Sequence, residues 1–300
     1  MPESAMTRPI EPSAEAPREP LAPALYITAT PIGNRGDVTL RALEVLERAD
    51  RLLCEDTRVT RKLLGLYGLS RPLTAYHDHN AESMRPKVLA WIAAGESVVL
   101  VSDAGTPLIS DPGFKLARDC RAAGLAVTAL PGASALLTAL AVSGLPTDRF
   151  LFLGFLAPRS AARRTELAEV AGVRATLVLY ESPRRLAGLL ADAAAVLPGR
   201  AAAVCRELTK LFEETVAAPI EELAARYAEA GPPRGEVVVV IGPPPERQAA
   251  WSESQLDEAL SRALAGGSVK DAAAEVAAAS GRPRQELYAR AMRLRGGGRR

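Results

Sequence analysis

Short apolar runs alternate with segments that carry apolar residues at helical spacing, and this alternation persists over most of the chain. In the first half the runs at 25–29, 52–55, 73–77, 98–102 and 126–130 have the composition of buried strands. Between and after them, 40–49, 60–67, 84–94, 114–123 and 134–143 recur at i, i+3 and i+4 and predict helices. A βαβα series of this kind predicts a mainly parallel sheet. Leu145-Pro146-Thr147 breaks the series.

A second series predicts strands at 150–155, 175–180, 201–206, 212–217 and 237–241, with helices at 163–171, 183–196 and 219–229. The run at 212–217 follows its predecessor after a short connection, which predicts a hairpin and hence a mixed sheet. Gly242-Pro243-Pro244-Pro245 reads as a linker. Beyond it, helical patterns at 255–264, 269–280 and 284–294, with Gly281-Arg282-Pro283 as a turn, predict a small helix-turn-helix-like cap. The expected organisation is a disordered tail at 1–23, α/β domains at 24–146 and 147–242, and linker plus cap at 243–300.

Composition narrows the class. With 48% hydrophobic residues over 300 positions, the chain can bury real cores. No apolar run approaches the roughly 20 residues that a membrane-spanning helix needs. The first 23 residues are rich in Pro, Glu, Ala and Ser without an apolar core, so they read as neither signal peptide nor anchor. Cys54, Cys120 and Cys205 stand far apart, and only His77 and His79 could supply imidazole. That pattern argues against a disulfide framework or zinc site and suits a reducing cytoplasm. The net charge is only +2, yet residues 251–300 hold nine Lys/Arg against six Asp/Glu, a lean towards nucleic acid.

The candidate chemistry sits at predicted strand ends. Residues 96–113 read ESVVLVSDAGTPLISDPG: a buried strand, a Gly/Pro loop, then a helix with Asp111 placed as N-cap and Pro112 at its first position. Similar loops end two other strands, Thr30-Pro31-Ile32-Gly33-Asn34 and Pro131-Gly132-Ala133-Ser134. Three such loops at one sheet edge predict a small-ligand pocket, because open α/β sheets bind ligands beyond the carboxyl ends of their strands. Gly33 and Gly36 do not give the GxGxxG spacing, which argues against a nicotinamide or flavin site. Two polar clusters, Cys54-Glu55-Asp56-Thr57-Arg58 and Tyr76-His77-Asp78-His79-Asn80, end the second and third strands and should reach the same edge. Their acid, base and imidazole groups suit proton transfer and phosphate contact.

Taken together, TPIGN (30–34), EDTR (55–58), HDHN (77–80), SDAGTPLISDPG (102–113), YESPRR (180–185), RELTK (206–210) and Gly235-Glu236 resemble the ribosomal RNA small subunit methyltransferase I family. That family lies within the tetrapyrrole-methylase fold group. The resemblance covers about 24–242, and the cap resembles the family's C-terminal extension. It implies two α/β domains with S-adenosylmethionine in the cleft between them, in a homodimer. The implied reaction is methylation of the ribose 2′-hydroxyl of a cytidine in the decoding region of small-subunit ribosomal RNA. It maps the cofactor loops onto Pro31, Ile32, Gly33, Asp103, Ala104, Gly105, Thr106, Pro107, Ile109, Ser134 and Ala135, with Tyr180 from the second domain. The departures are mild: Ala29 precedes Thr30, and Ala133 sits in the PGAS turn.

Such a reaction needs an acceptor for the ribose proton, and Glu55, Asp56, His77 and Asp78 are candidates, with Arg58 for a flanking phosphate. Two alternatives remain open at this point. One is the same fold acting on a tetrapyrrole or other small molecule, and the other a non-catalytic ribosome-assembly factor.

Overall fold

The computed structural model describes residues 20–110, 112–245 and 251–297. The tail expectation for 1–19, the cap assigned to Asp111 and the terminal Arg299-Arg300 lie outside the described residues. The chain forms two compact units, divided at Pro244/Pro245.

The first unit contains two five-stranded sheets. In the first, β1 (Leu25–Thr28), β2 (Arg51–Cys54), β3 (Leu73–Ala75), β4 (Val98–Val101) and β5 (Val127–Leu130) are ordered β3-β2-β4-β1-β5. All four pairings are parallel. The crossovers are α1 (Leu40–Arg48), α2 (Thr57–Leu66), α3 (Ala81–Ala93) and α4 (Phe114–Ala122). Leu25, Val98 and Val99 are sealed from solvent, as strands covered on both faces require. One apolar layer gathers Val45, Leu46 and Leu64, and the other gathers Val88, Ile92 and Leu116. Because the strands are parallel, the residues following each of them emerge at one edge.

Helix starts depart from the expectation in two places. Asp56 caps α2 by accepting from Arg58 N at 2.8 Å, so that helix begins three residues early, at Thr57. Pro112 is not helical, since Gly113 is the N-cap of α4 and Phe114 its first residue.

The second sheet runs β6 (Phe150–Phe155), β7 (Thr176–Glu181), β10 (Val237–Ile241), β8 (Ala201–Arg206), β9 (Glu214–Pro219), in that spatial order. Only β6 and β7 are parallel. The other pairings are antiparallel, including the β8–β9 hairpin expected from the short connection. On one face α6 (Ser160–Glu169), α7 (Pro183–Val196) and α8 (Ile220–Ala230) bury Leu167, Leu186, Leu189 and Leu223. The other face is covered by α5 (Ala135–Val142), which follows the last strand of the first sheet. Its Leu136, Ala139 and Leu140 pack on Val178, Ala203, Val238 and Val240. One helix thereby ties the two sheets together.

The second unit is α9 (Glu253–Gly266), α10 (Val269–Ser280) and α11 (Arg284–Gly297). Ser252 and Gln255 form a capping box that fixes the start of α9. Gly281, with φ 68°, ends α10 in the left-handed conformation. Leu256, Leu260, Ala273, Val276, Leu287 and Ala291 form its core.

Candidate functional site

Two backbone hydrogen bonds of 2.9 Å, Thr30 N to Gly105 O and Gly105 N to Thr30 O, join the loops after β1 and β4. Side chains complete the brace. Thr30 Oγ1 donates to Ser102 O at 3.1 Å and Ser102 Oγ to Gly105 O at 2.9 Å. Thr106 Oγ1 donates to Ala133 O at 3.0 Å, which brings in the loop after β5. Hydroxyls directly after the strands serve here because they satisfy carbonyls that a tight turn leaves without ladder partners.

Gly105 has φ 79°, so any side chain there would strain the backbone, although a Cβ would meet Ile32 Cγ2 only at an ordinary contact of 3.4 Å. Leu108 and Ser110 also adopt positive φ, 73° and 66°. Strained non-glycine residues of this kind cluster where a loop is shaped for a ligand.

These loops border a cavity of about 320 Å³. From the first sheet it is lined by Ile32, Asp103, Ala104, Gly105, Thr106, Ile109, Ser110, Ser134 and Ala135, and from the second by Phe155, Tyr180, Glu181, Cys205, Leu208, Glu236, Val237 and Val238. The structure therefore brings together nine of the twelve residues mapped to the cofactor, counting Tyr180. Pro31, Gly33 and Pro107 do not line the cavity. Pro107 is buried. Gly33 faces the second sheet, since a Cβ there would sit 2.4 Å from Lys210 Cγ. Tyr180 Oη accepts from Leu136 N at 3.2 Å, and the Tyr180 ring meets Phe152 and Phe155 edge to face.

Eight wall residues, Ser110 among them, were not among those the resemblance mapped to the cofactor. Phe155, Glu181, Cys205, Leu208, Glu236, Val237 and Val238 belong to the second sheet or the segments beside it, far along the chain from the glycine loops. The signal that could have found some of them was Gly235-Glu236 together with RELTK. Lys210 Nζ bonds Glu207 at 2.8 Å and Glu236 at 2.6 Å, and Asn34 N donates to Thr209 Oγ1 at 3.1 Å. That network locks the RELTK turn, where Glu207 and Thr209 have positive φ, onto the TPIGN loop. The Lys210 ammonium holds the Glu207 carboxyl below its ordinary range.

Of the two polar clusters, the EDTR segment lies beside this cavity. Asp56 N donates to Asp103 Oδ1 at 3.2 Å, linking the EDTR loop to a cavity wall. Hydrogen bonds from Arg58 hold the Asp56 carboxyl at about 2, and the two side chains meet at 2.6 Å. Arg58 otherwise remains exposed, at 86%. Glu55 behaves differently. It is solvent-accessible, yet partial desolvation raises its carboxyl, the Asp103 and Asp78 carboxylates add to the rise, and His77 opposes it. His77 N donates to Asn80 Oδ1 and Asn80 Nδ2 to Ala75 O, both at 2.9 Å, so Asn80 pins the HDHN turn to its strand. His77 Nδ1 is buried without a hydrogen-bond partner among the described residues.

In the helical unit the cations are unevenly committed. Arg290 grips Asp257 at 2.6 Å and also pairs with Glu253, while Arg282 meets Glu253 at 3.1 Å and Glu286 at 3.3 Å. Among the described residues Arg284 makes only a long bond, 3.5 Å, to Lys270 O.

A parallel and a mixed sheet sharing one loop-lined cavity define a methylase of the tetrapyrrole type. The family model described as Tetrapyrrole (Corrin/Porphyrin) Methylases matches residues 24–224, and the RsmI C-terminal HTH domain matches 250–295. The ribosomal RNA small subunit methyltransferase I of Mesorhizobium japonicum is 48% identical over 282 residues, covering 94% of this chain and 95% of that protein. The Erythrobacter litoralis protein of the same name is 50% identical over 277 residues, covering 92% and 97%. The chain belongs to the ribosomal RNA small subunit methyltransferase I family. Among solved structures, a cobalt precorrin-4 methyltransferase aligns with TM-score 0.54 at 20% identity, over 73% of this chain and 95% of that one. A uroporphyrin-III C-methyltransferase from Thermus thermophilus, complexed with S-adenosyl homocysteine, aligns with TM-score 0.52 at 22% identity, over 73% and 97%. Both likenesses are of fold.

Proposed function

We propose that this chain transfers a methyl group from S-adenosylmethionine to the ribose 2′-hydroxyl of a cytidine in the decoding region of small-subunit ribosomal RNA. The observation that carries the reading is the braced cavity, in a chain about half identical to relatives named for small-subunit rRNA methylation. That identity along nearly the whole chain favours RNA over a tetrapyrrole substrate.

The cavity residues fit the cofactor. The carboxylate-bearing Asp103 lines it and suits a ligand carrying an ammonium and a sulfonium charge, whereas the Glu181 and Glu236 carboxylates are taken by Arg185 and Lys210. Ala104–Thr106 and Ser134–Ala135 line the cavity beside the apolar Ile32, Ile109, Leu208 and Val238, which suit a flat heterocycle. When bound, S-adenosylmethionine supplies an electrophilic methyl carbon. The protein's own contribution is to hold the ribose oxygen in line with that carbon and to take its proton. Asp56 is a poor acceptor, because its carboxylate caps α2 and answers Arg58. Glu55 is the better one, since its raised carboxyl is the stronger base. Arg58 is placed for a flanking phosphate, with His77 and Asp78 setting the field around Glu55.

In this reading residues 24–146 and 147–242 share the chemistry and the unit beyond 244 holds RNA. The partner is the small subunit or its RNA, the compartment is the cytoplasm, and the active form is a homodimer. The exposed side chains of Leu211 (90%) and Phe212 (67%) support self-association. Among the described residues no helix is long and apolar enough to cross a membrane.

The test offers labelled S-adenosylmethionine to small subunits from a strain lacking the enzyme and maps the modified nucleotide. Label at a cytidine 2′-oxygen is expected. Label on a base, or none with folded protein, overturns the reading.

A further inference from the structure

A second cavity, of about 310 Å³, opens where the end of β3 meets the starts of α3 and α4. Its walls include Tyr76 and Asp78 after β3, Glu82 and Arg85 on α3, and Phe114 and Lys115 at the start of α4. It is near the lower end of the roughly 300–1,000 Å³ usual for small-molecule sites. The strand order β3-β2-β4 sets Glu55, at the end of β2, between Asp78 at the end of β3 and Asp103 at the end of β4. Asp78 lines the second cavity and Asp103 the first. Glu55 itself lines neither cavity, but strand order places it at the edge between them, where a group serving both substrates would stand.

The second cavity has the groups that read a nucleobase. Phe114 is 66% exposed at this cavity, so its ring face is open to a partner. The residue before Phe114 has to be glycine, because Gly113 has φ 132° and a Cβ there would strike Leu100 Cδ2 at 2.7 Å and Leu108 Cδ1 at 2.8 Å. Neither Asp78 nor Glu82 forms an ion pair among the described residues, whereas Arg85 is held by Asp119 at 3.0 Å. Carboxylates with open acceptor positions beside an exposed ring match cytosine, which offers an N4 amino donor and a stacking face. Uracil presents an O4 acceptor at the same place and would be repelled.

We propose that this second cavity takes the base of the target nucleotide, stacked on Phe114 and read at its exocyclic amino group by the carboxylates of Asp78 and Glu82. Lys115 at the rim answers a neighbouring phosphate. The inference rests on the RNA methylation proposed above and assigns its base specificity to a site separate from the cofactor cavity.

The test uses the full-length chain, small subunits carrying cytidine or uridine at the mapped position, and calorimetry with S-adenosylmethionine as probe. Phe114→Ala should lower kcat/KM for the cytidine substrate about 10- to 100-fold, while cofactor affinity and melting temperature hold, and Phe114→Tyr should restore most of it. Glu82→Gln supplies an amide that can donate to O4, so the cytidine-over-uridine ratio should shrink about ten-fold or more. Asp78→Asn should act in the same direction. An unchanged ratio in both carboxylate variants, or wild-type kcat/KM in Phe114→Ala, overturns the base-reading site alone. A wild-type chain that methylates no cytidine overturns this proposal together with the reading beneath it.

Discussion

Thr30 and Gly105 exchange backbone hydrogen bonds of 2.9 Å in both directions, an isolated antiparallel bridge formed just beyond two parallel strands. Strands β1 and β4 run side by side, so their following loops start as neighbours. The bridge then turns two flexible loops into one rigid floor. A floor preorganised in this way spares a ligand the entropy of ordering it.

Gly105→Val tests that floor. A β-branched residue is strained at φ 79°, and its branches reach beyond the Cβ contact with Ile32, so either the bridge or the cavity must move. We expect cofactor affinity by calorimetry to fall about ten-fold or more, with the far-ultraviolet spectrum unchanged, and no NAD binding in either protein. Wild-type affinity in the variant would mean the loop does not touch the ligand.

The raised carboxyl of Glu55 has a consequence for pH dependence. A base must be deprotonated to accept the ribose proton, so kcat/KM should fall as pH drops through a limb lying above the usual 4.5 of a glutamate. Glu55→Gln should remove that limb and lower kcat by about 10²–10⁴-fold, with cofactor affinity little changed. Asp56→Asn should leave the limb in place, because the Asp56 carboxyl, at about 2, is ionised throughout that range. A profile unaltered in Glu55→Gln assigns the base elsewhere.

One buried ion pair joins two of the helices that cover the second sheet. Arg163 Nε donates to Asp192 Oδ2 at 2.8 Å, and Ser160 Oγ donates to Asp192 Oδ1 at 2.8 Å, joining α6 to α7. Asp192→Ala leaves the Arg163 guanidinium, whose side chain is only 6% exposed, without its counter-charge. Denaturant unfolding should show a loss of about 3–5 kcal/mol. Removing both partners together should cost less, and a double-mutant cycle measures the difference.

In the helical unit, Arg282 and Arg290 hold the helices to each other, which leaves Arg284 as a better candidate for phosphate contact. Arg284→Ala should weaken binding to small subunits and reduce the log–log salt slope by about one, with cofactor affinity unchanged. Arg290→Ala should instead lower the melting temperature of the unit. Equal salt slopes for wild type and Arg284→Ala would mean that this helix start does not meet RNA.

Apolar spacing along the chain was enough to locate the strands and helices, because burial on both faces selects runs such as Val98–Val101 whatever their neighbours. It also placed Glu55, Asp78, Asp103 and the glycine loops at strand ends, since a parallel sheet gathers such ends at one edge by construction. Boundaries set by capping were less legible. Asp56 drew α2 forward to Thr57, and Gly113 displaced the start of α4 past Pro112. Strand order, and with it the position of Glu55 between Asp78 and Asp103, is a property of long-range pairing that no local pattern encodes. The second wall of the cavity is the same case. Glu236, Val238 and Leu208 become neighbours of Gly105 because α5 packs Leu136, Ala139 and Leu140 against the second sheet. Local propensity and periodicity are written residue by residue, whereas a cavity forms only where two buried surfaces meet, so its shape and its far wall belong to the tertiary structure.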